Sequence, residues 1–333
     1  MHGGPGELRF TRRVSYCGDM PTSPLLTLPG AVAAEAPDAG VAAHYGDPLR
    51  EQRRLEAGEG FVDLSHRDVI RVAGPDRLSW LHSLTTQHLT DLKPHEATQT
   101  LVLSPHGHIE HALYGVDDGE AFRAHVEPGE APTLVEFLDR MRFMLRVEVA
   151  DVSADFAVVH EAGGDAPDGV LVRTTGYGRE VFLPRERLAA YGREHAHPAG
   201  MWAYEALRIA AHRPRRGLET DHRTIVHELG LIDTAVHLDK GCYRGQETVA
   251  RVHNLGRPPR RLVFLHLDGT QETLPAHGAP VELAGRQVGF VTSAARHHEL
   301  GPIALALIKR NTAVDAELLA GGVPATQEIV VPA

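Results

Sequence analysis

The sequence predicts an α+β protein that contains two or three domains. Its 333 residues are more than one ordinary hydrophobic core organises. Segments with strand periodicity and segments with helix periodicity follow one another without the regular alternation that builds a parallel sheet. The last part of the chain contains only short strand-like segments separated by Gly and Pro, which predicts a small β-barrel or sandwich.

Residues 1–45 are expected to form a flexible N-terminal leader. This stretch is rich in Gly, Pro and Ala and shows no sustained period. An export signal is a weaker alternative, because Pro24 and Pro29 interrupt the apolar stretch that follows "TRRVS". Translation from Met20 instead of Met1 would remove Cys17, and the sequence leaves both starts open.

Residues 46–150 are expected to form the first α+β domain. "DVIRVAG" predicts a strand, and "GPDRLSWLHSLTTQHL" predicts a helix that carries Leu78, Leu81 and Leu84. "TQTLVLS" and "HIEHALYGV" flank a Pro-His-Gly turn and predict a β-hairpin. "AFRAHVE" predicts another strand, and "APTLVEFLDRMRFML" predicts a helix that continues to Leu145.

Residues 151–257 are expected to form a second α+β domain, and residues 258–330 the C-terminal β-barrel. In the second domain, "GMWAYEALRIAAHRP" shows helical spacing of its apolar residues and is stopped by Pro214. "GQETVARVHNLG" predicts a helix of about three turns that ends at Gly256. The barrel strands are predicted from "RLVFLHLDG", "APVELAG", "RQVGFVTSA" and "PIALALIKR".

The net charge of −10 argues against a surface that attracts nucleic acid or anionic lipid as a whole. The stretch from Lys240 to Arg261 is an exception, with six cations against one glutamate. Such a neighbourhood can hold an anionic ligand or simply be a solvated face. Two cysteines cannot build a disulfide framework, which suits a reducing cytoplasm. No apolar run approaches the roughly 20 residues that span a bilayer.

Cys242 has surroundings that indicate chemistry. It precedes a predicted helix, whose free N–H groups and dipole would favour a thiolate, and Lys240 and Arg244 would act in the same direction. Gly241 and Gly245 would let the chain turn tightly. An inert thiol at a helix start is the alternative. No second cysteine lies nearby, so a two-cysteine zinc or redox site and a complete iron–sulfur cluster site are excluded.

The stretch "KGCYRGQETVAR" resembles the signature of the YgfZ-type folate-binding proteins. These proteins are a branch of the superfamily of the glycine-cleavage T-protein, an aminomethyltransferase. The similarity runs from about Asp47 to Leu319 and includes "LVLSPHGHIEHALY", "YEALRIAAHRPRRG" and the C-terminal strands. Cys242 is the candidate catalytic residue, and the residues that would support it are Lys240, Gly241, Tyr243, Arg244, Gly245, Gln246, Glu247 and Arg251.

The resemblance implies a three-domain, cloverleaf-like aminomethyltransferase fold around a central cavity that holds tetrahydrofolate. It also implies an accessory role in iron–sulfur cluster assembly or repair, including enzymes that modify tRNA, with Cys242 as the reactive thiol. The expected partners are a folate or folylpolyglutamate and iron–sulfur client proteins, without direct nucleic-acid binding or membrane association. We expect a cytoplasmic protein that is not a turnover enzyme in the usual sense.

Three departures from the T-protein pattern bear on its activity. His111 and Ala112 stand where the T-protein has two adjacent aspartates, and Ala210 stands where its helix carries a glutamate that binds the pterin. Glu110 is one residue out and would point to the opposite face of its strand. These losses argue against aminomethyl transfer, which is the enzymatic alternative. A third alternative, direct action on tRNA, has no recognition motif to support it.

The resemblance also suggests which residues contact the folate. Tyr204 matches a position where YgfZ-like proteins carry an aromatic residue, and it would stack on the pterin unless it simply packs in the core. Arg208 and, by rough alignment, Arg67 are the other expected ligand-facing residues. No metal site is expected. The histidines of the predicted hairpin lie on different faces, and a chain with 22 histidines forms clusters by chance.

Overall fold

The computed structural model describes residues 22–164, 169–270 and 272–332. Cys17 and both candidate start methionines lie outside these residues. Short 3-10 helices occur at Pro24–Thr27, Arg185–Arg187 and Val226–Leu229. The α-helices of the described residues are α1 (Pro48–Glu56), α2 (Arg77–Leu84), α3 (Ala131–Arg140), α4 (Leu188–Glu194), α5 (Met201–Ala210), α6 (Ile232–Ala235) and α7 (Gln246–Leu255).

The strands form a small hairpin, two open sheets and a closed barrel. They are β1 (Val32–Ala33), β2 (Ala42–His44), β3 (Phe61–Asp63), β4 (Asp68–Ala73), β5 (Ala97–Leu103), β6 (Ile109–Asp117), β7 (Ala121–Val126), β8 (Glu148–Asp151), β9 (Phe156–Glu161), β10 (Leu171–Thr175), β11 (Gly178–Pro184), β12 (Pro198–Ala199), β13 (Arg260–Leu267), β14 (Pro280–Leu283), β15 (Arg286–His297), β16 (Gly301–Lys309), β17 (Leu318–Ala320) and β18 (Val323–Ile329).

The first open sheet is antiparallel with the order β5-β6-β7-β4-β8. Helices α2 and α3 share its hydrophobic core, which includes Ile70, Leu81, Phe122 and Leu134. The predicted β5–β6 hairpin is confirmed. Helix α3 ends at Arg140 and does not continue to Leu145, because the chain then turns through a left-handed residue, Phe143 at φ +48°.

The second open sheet has the order β10-β11-β9-β3-β12, and helix α5 belongs to the same core. Strand β3 precedes the first sheet in sequence, yet it pairs antiparallel with β9 and parallel with β12. The segment Phe61–Asp63, which we assigned to the first domain, therefore contributes to the sheet of the second. A strand of three residues that are all buried is too short for its sequence pattern to show which sheet it joins.

Residues 22–45 are folded, which differs from the flexible leader that we expected over residues 1–45. Strands β1 and β2 pair with each other, and Leu25, Val41 and Ala42 are buried. Asp38 is also buried and forms ion pairs with His66 and Arg215. The segment packs through isolated side chains rather than through one face of a regular element, so it has no period for a sequence pattern to detect.

The C-terminal strands close into a six-stranded barrel with the order β13-β16-β15-β14-β17-β18. The predicted β-barrel is confirmed, and the sandwich alternative is wrong. Alternate residues of β13 serve two cores: Val263 and Leu265 fill the barrel, while Leu262 and Phe264 pack in a cluster that also contains Ile209 of α5. In the described part of the chain, no helix combines the length and apolar character needed to cross a membrane.

Candidate functional site

A central cavity of about 290 Å³ lies where the two open sheets, helix α5 and the segment after it meet. The three residues that we expected to face a folate, Arg67, Tyr204 and Arg208, all line this cavity. They come from distant parts of the chain: the turn before β4 and one face of α5. Tyr114, Tyr177, Glu180 and Arg213 also line it, and we had not singled them out from the sequence.

Arg208 lines the cavity but has no free donor for a ligand. Its Nε and Nη2 donate to Glu205 at 3.0 and 2.6 Å, and Nη2 also donates to Ser293 at 2.8 Å. Its Nη1 donates to Glu219 at 2.9 Å and to the carbonyl oxygen of Arg213 at 2.7 Å. All five N–H donors of a guanidinium are thereby used inside the protein. Arg208 therefore holds the segment that carries Arg213. This role differs from the contact with the ligand that we expected of Arg208.

Arg67 and Arg213 retain donor capacity at the cavity. In the described residues, the Nε atoms of both are buried without a hydrogen-bond partner. The guanidinium of Arg67 lies 5.6 Å from the centre of the Tyr204 ring, and its nearest carboxylate oxygen, on Glu127, is 4.0 Å away. The guanidinium of Arg213 lies 3.8 Å from the centre of the Tyr177 ring. Buried donors without partners are costly, so this wall is suited to a ligand that brings acceptors.

The backbone at Arg213 is set by its two neighbours. His212 has φ +54°, the left-handed conformation that favours glycine. Pro214 follows with its fixed φ. The N–H of Arg213 also donates to the carbonyl oxygen of Arg208 at 3.0 Å. The sequence could have indicated Arg213 through this unusual His-Arg-Pro ending of a helix.

Glu180 is the carboxylate in the cavity wall, and both His125 and Arg173 contact it. Its Oε2 lies 2.9 Å from Nε2 of His125 and 2.7 Å from Nη1 of Arg173. Burial raises the pKa of Glu180, but His125 and Arg173 outweigh it and hold the pKa well below the usual range. Glu180 is therefore an ionised acceptor and has no proton to donate. A glutamate inside the apolar strand "EVFLP" was the available sequence signal.

The β5–β6 hairpin offers no carboxylate to the cavity at the positions where the T-protein has aspartates. Ala112 contributes to the hydrophobic core beside Tyr114. His111 is buried, and its Nδ1 lies 3.4 Å from Glu130. Burial, together with the charges of Arg216 and Arg244, lowers the pKa of His111 to about 3, so the ring is neutral at physiological pH.

The motif loop, Lys240–Glu247, lies against the first sheet. Cys242 is exposed and carries a free thiol. Lys240 is buried, and its Nζ donates to the carbonyl oxygens of His82 and Thr85 at the end of α2. Burial lowers the pKa of Lys240 to about 8. Its ammonium thus contacts the end of α2 and the Tyr243 ring, whose centre is 4.9 Å away. The sequence had led us to expect that it would instead act on the Cys242 thiol.

Arg244 is also engaged away from the thiol. Its Nη1 donates to Glu110 of β6 at 2.8 Å, and its guanidinium lies 5.3 Å from the centre of the Phe137 ring. The predicted helix after the motif is confirmed as α7, but it begins at Gln246, after Gly245 in the left-handed conformation at φ +82°. Cys242 therefore precedes the helix by a full turn of loop.

The remaining motif residues fix the loop on the β5–β6 hairpin. A Cβ on Gly245 would lie 2.6 Å from the carbonyl oxygen of Ser104, so only glycine fits this approach. Gln246 accepts a hydrogen bond from the N–H of Tyr243 at 3.3 Å. Gly241, Glu247 and Arg251 are exposed. The motif thus builds a docked loop that presents its thiol to solvent, and Cys242 does not line the central cavity in the described structure.

A Glu/His/His cluster joins α1 to the barrel. Ligand atoms of Glu56, His297 and His298 all lie within 4.8 Å of one another. The Nδ1 of His297 accepts from the backbone N–H groups of Glu299 and Leu300, both at 3.2 Å. A nitrogen that accepts two hydrogen bonds carries no proton, so in the neutral ring Nε2 carries it and points toward Glu56. The cluster fits a hydrogen-bonded link between α1 and the barrel better than a metal site.

Several of the known proteins that resemble this chain are aminomethyltransferases. Residues 260–328 match the glycine cleavage T-protein C-terminal barrel domain. An aminomethyltransferase of Geobacillus kaustophilus is 30% identical over 305 residues, which are 79% of this chain and 82% of that protein. An aminomethyltransferase of Rubrobacter xylanophilus is 28% identical over 322 residues, which cover 86% of each chain.

A chloroplastic transferase-like protein of Arabidopsis thaliana is 28% identical over 278 residues, and the chain spans 62% of its length. Among solved structures, the glycine cleavage system aminomethyltransferase T of Bartonella henselae superposes with a TM-score of 0.78 over 91% of this chain and 94% of that one. At 19% identity this likeness shows the fold, and the fold class that we predicted is confirmed. Together with the relative at 30% identity, it establishes that this chain belongs to the superfamily of the glycine-cleavage T-protein, the aminomethyltransferases.

Proposed function

We propose that this protein binds tetrahydrofolate in the central cavity and serves as an accessory protein for iron–sulfur cluster assembly or repair. Its clients would include iron–sulfur enzymes that modify tRNA, and it would act in the cytoplasm. Cys242 is the reactive thiol in this proposal. The observation that carries it is the separation of two features: a cavity lined by arginine and tyrosine, and an exposed thiol on a docked loop outside that cavity.

The cavity suits a folate because its wall pairs aromatic faces with unpartnered donors. Tyr204 and Tyr114 supply faces against which a pterin can pack. The buried Nε atoms of Arg67 and Arg213 need acceptors, which the pterin carbonyl or a folate carboxylate would bring. Bound tetrahydrofolate would supply a one-carbon carrier. The chain's own residues bind and orient it, while the contacts of Glu180 with His125 and Arg173 fix that part of the cavity wall.

The thiol suits contact with another protein. Cys242 is exposed, while its neighbours Lys240 and Tyr243 are buried, so the loop is anchored around an accessible sulfur atom. Such a sulfur can reach an iron, a sulfur atom or a thiol that belongs to a client protein. This arrangement agrees with the resemblance of "KGCYRGQE" to the YgfZ signature.

Aminomethyl transfer is the second candidate, and the names of the relatives favour it. Against it stand the hairpin positions, where His111 and Ala112 supply no carboxylate, and Ala210, where a pterin-binding glutamate is missing. Glu180 does not replace them, because its carboxylate is committed to His125 and Arg173. A turnover assay with an aminomethyl donor and tetrahydrofolate tests this candidate directly.

Complementation tests the accessory role. A bacterial strain that lacks its own YgfZ-like protein would receive the wild type, Cys242→Ala or the control Arg223→Ala, an exposed residue outside the motif, and one iron–sulfur enzyme's activity would be measured. We expect rescue by the wild type and the control but not by Cys242→Ala. Rescue by all three would show that the thiol is not the working group. No rescue by any of them, with all three folded and expressed, would favour the transferase.

Calorimetric titration tests the folate site separately. We expect 5-formyltetrahydrofolate to bind the wild type and Cys242→Ala equally, since the thiol lies outside the cavity. Arg67→Gln should weaken binding by about tenfold, the cost of removing one charged donor from a buried site. Equal binding by Arg67→Gln and the wild type would place the ligand elsewhere.

A further inference from the structure

The central cavity is one of two adjacent spaces in the molecule. A second, more open cleft of about 610 Å³ lies beside it and shares three wall residues with it: Gln99, Tyr177 and Thr234. The outer cleft is polar and carries Arg173 and His237 in its wall. Ligand pockets usually measure about 300–1,000 Å³, so the central cavity alone is at the small end of that range. A ligand longer than the central cavity would extend past the shared wall residues into the outer cleft.

Tyr177 stands at the shared wall. It lies in a two-residue turn, Gly176–Tyr177, between the paired residues Thr175 and Gly178 that end β10 and begin β11. Its ring is 36% exposed, and its hydroxyl lies 3.4 Å from Nη1 of Arg173. A Cβ at Gly176 would meet nothing within 4 Å, so the turn has open space beside it. The ring of Tyr177 also stacks against that of His160, with 6.3 Å between the ring centres.

Arg213 holds the Tyr177 ring in place from the inside. Its guanidinium is 3.8 Å from the ring centre, and no carboxylate within ion-pair distance competes for it in the described structure. The backbone of Arg213 is fixed by Arg208, which donates to its carbonyl oxygen. The main chain thus positions Arg213. Its guanidinium contacts two aromatic rings, that of Tyr177 and that of Tyr204, whose centre is 5.8 Å away.

We propose that Tyr177 and Arg213 are specificity-determining residues that form a constriction between the two spaces. The constriction selects ligands with a compact ring at one end, a narrow linker and a polar remainder. The ring fills the central cavity, the linker passes beside Tyr177, and an acceptor on the ligand takes the free Nε–H of Arg213. This proposal rests on the proposed function for the identity of the ligand, but the constriction itself does not depend on it.

A comparison of two ligands tests the selectivity. The probes are 5-formyltetrahydrofolate and 6-methyltetrahydropterin, which has the ring without the linker and tail. We expect the wild type to prefer the longer ligand, and Tyr177→Ala and Arg213→Gln each to reduce that preference by about threefold to tenfold. Arg223→Gln, which removes an exposed cation outside the motif and outside both cavity walls, serves as the control and should keep the preference of the wild type. An unchanged preference in both constriction variants would overturn the proposal.

A second measurement needs no ligand. Tyr177→Trp places an indole over Arg213, and its accessibility to acrylamide can be followed by fluorescence against the wild-type background. Quenching should increase when Arg213→Gln is added to Tyr177→Trp, because the ring loses the cation that holds it. Equal quenching in the two proteins would overturn the constriction. An increase in quenching without binding of either pterin would mean that the folate proposal fails while the constriction stands.

Discussion

The cations of the central cavity and those of the motif loop differ in whether their donors have partners inside the protein. In the cavity, Arg67 and Arg213 keep buried Nε atoms without partners in the described structure. In the motif loop, Lys240 and Arg244 are committed to protein carbonyls and to Glu110. The donors that are available to a ligand are therefore those that the fold leaves unpaired. Closeness in sequence to a reactive residue such as Cys242 does not identify them.

The largest effect is expected from Arg215, which braces the cavity wall. Its guanidinium is 2% exposed and pairs with Asp38, Glu127 and Glu205. Arg215→Ala would leave buried carboxylates without a counter-charge, so we expect it to lower the free energy of unfolding by about 3–5 kcal/mol. Urea unfolding followed by circular dichroism measures the change.

Arg244→Ala is the matched variant in the motif loop. Its guanidinium and the Glu110 carboxylate are about one-third exposed, and the loss should be no more than about 1 kcal/mol. If the two arginine variants lost similar stability, the distinction between a buried brace and a surface contact would not hold.

The next effect concerns how the motif loop docks on the hairpin. Gly245→Ala places a Cβ 2.6 Å from the carbonyl oxygen of Ser104 at a φ of +82°, and should lower the free energy of unfolding by about 1–3 kcal/mol. Gly241→Ala is the control, because a Cβ there meets nothing within 4 Å and the residue has no left-handed φ. Equal stability of the two variants would show that the loop is not fixed at Gly245.

Acid should destabilise the cavity through His160. This ring is buried and lies 5.3 Å from the Tyr204 ring. Burial lowers the pKa of His160 to about 4, against a value near 6.5 in the unfolded chain. The unfolded state therefore binds the proton first, so stability is complete above pH 6.5 and falls as the pH drops toward 4.

The slope is about 1.4 kcal/mol per pH unit for one such histidine. His160→Gln should remove that part of the slope from urea unfolding measured between pH 7 and pH 5. The exposed His222→Gln should leave the slope of the wild type unchanged. If the free energy of unfolding of His160→Gln kept the full pH dependence of the wild type, the His160 ring would have to be protonated in the folded wild-type protein.

Local patterns predicted the barrel, the β5–β6 hairpin, α5 and α7, because each depends on periodicity or turn chemistry within a short stretch. They failed where structure depends on distant partners. Asp38 belongs to the fold because Arg215 reaches it, although the two residues are 177 positions apart in the chain. In the cavity, resemblance brought Arg67 and Tyr204 together, whereas Tyr177 becomes recognisable only when its stack on Arg213 is seen.

The smallest effect is expected at the thiol itself. Since the Arg244 guanidinium donates to Glu110 and lies over Phe137, Arg244→Gln should change the rate of Cys242 alkylation by iodoacetamide by no more than about twofold. The rates are measured in a Cys17→Ser background at one pH, so that only Cys242 reacts, with Arg251→Gln as a control for the loss of one positive charge. A large fall in rate with Arg244→Gln but not with Arg251→Gln would mean that Arg244 does act on the sulfur atom. The sequence-based expectation would then be right, and the contrast between a loop with committed cations and a cavity with free ones would be lost.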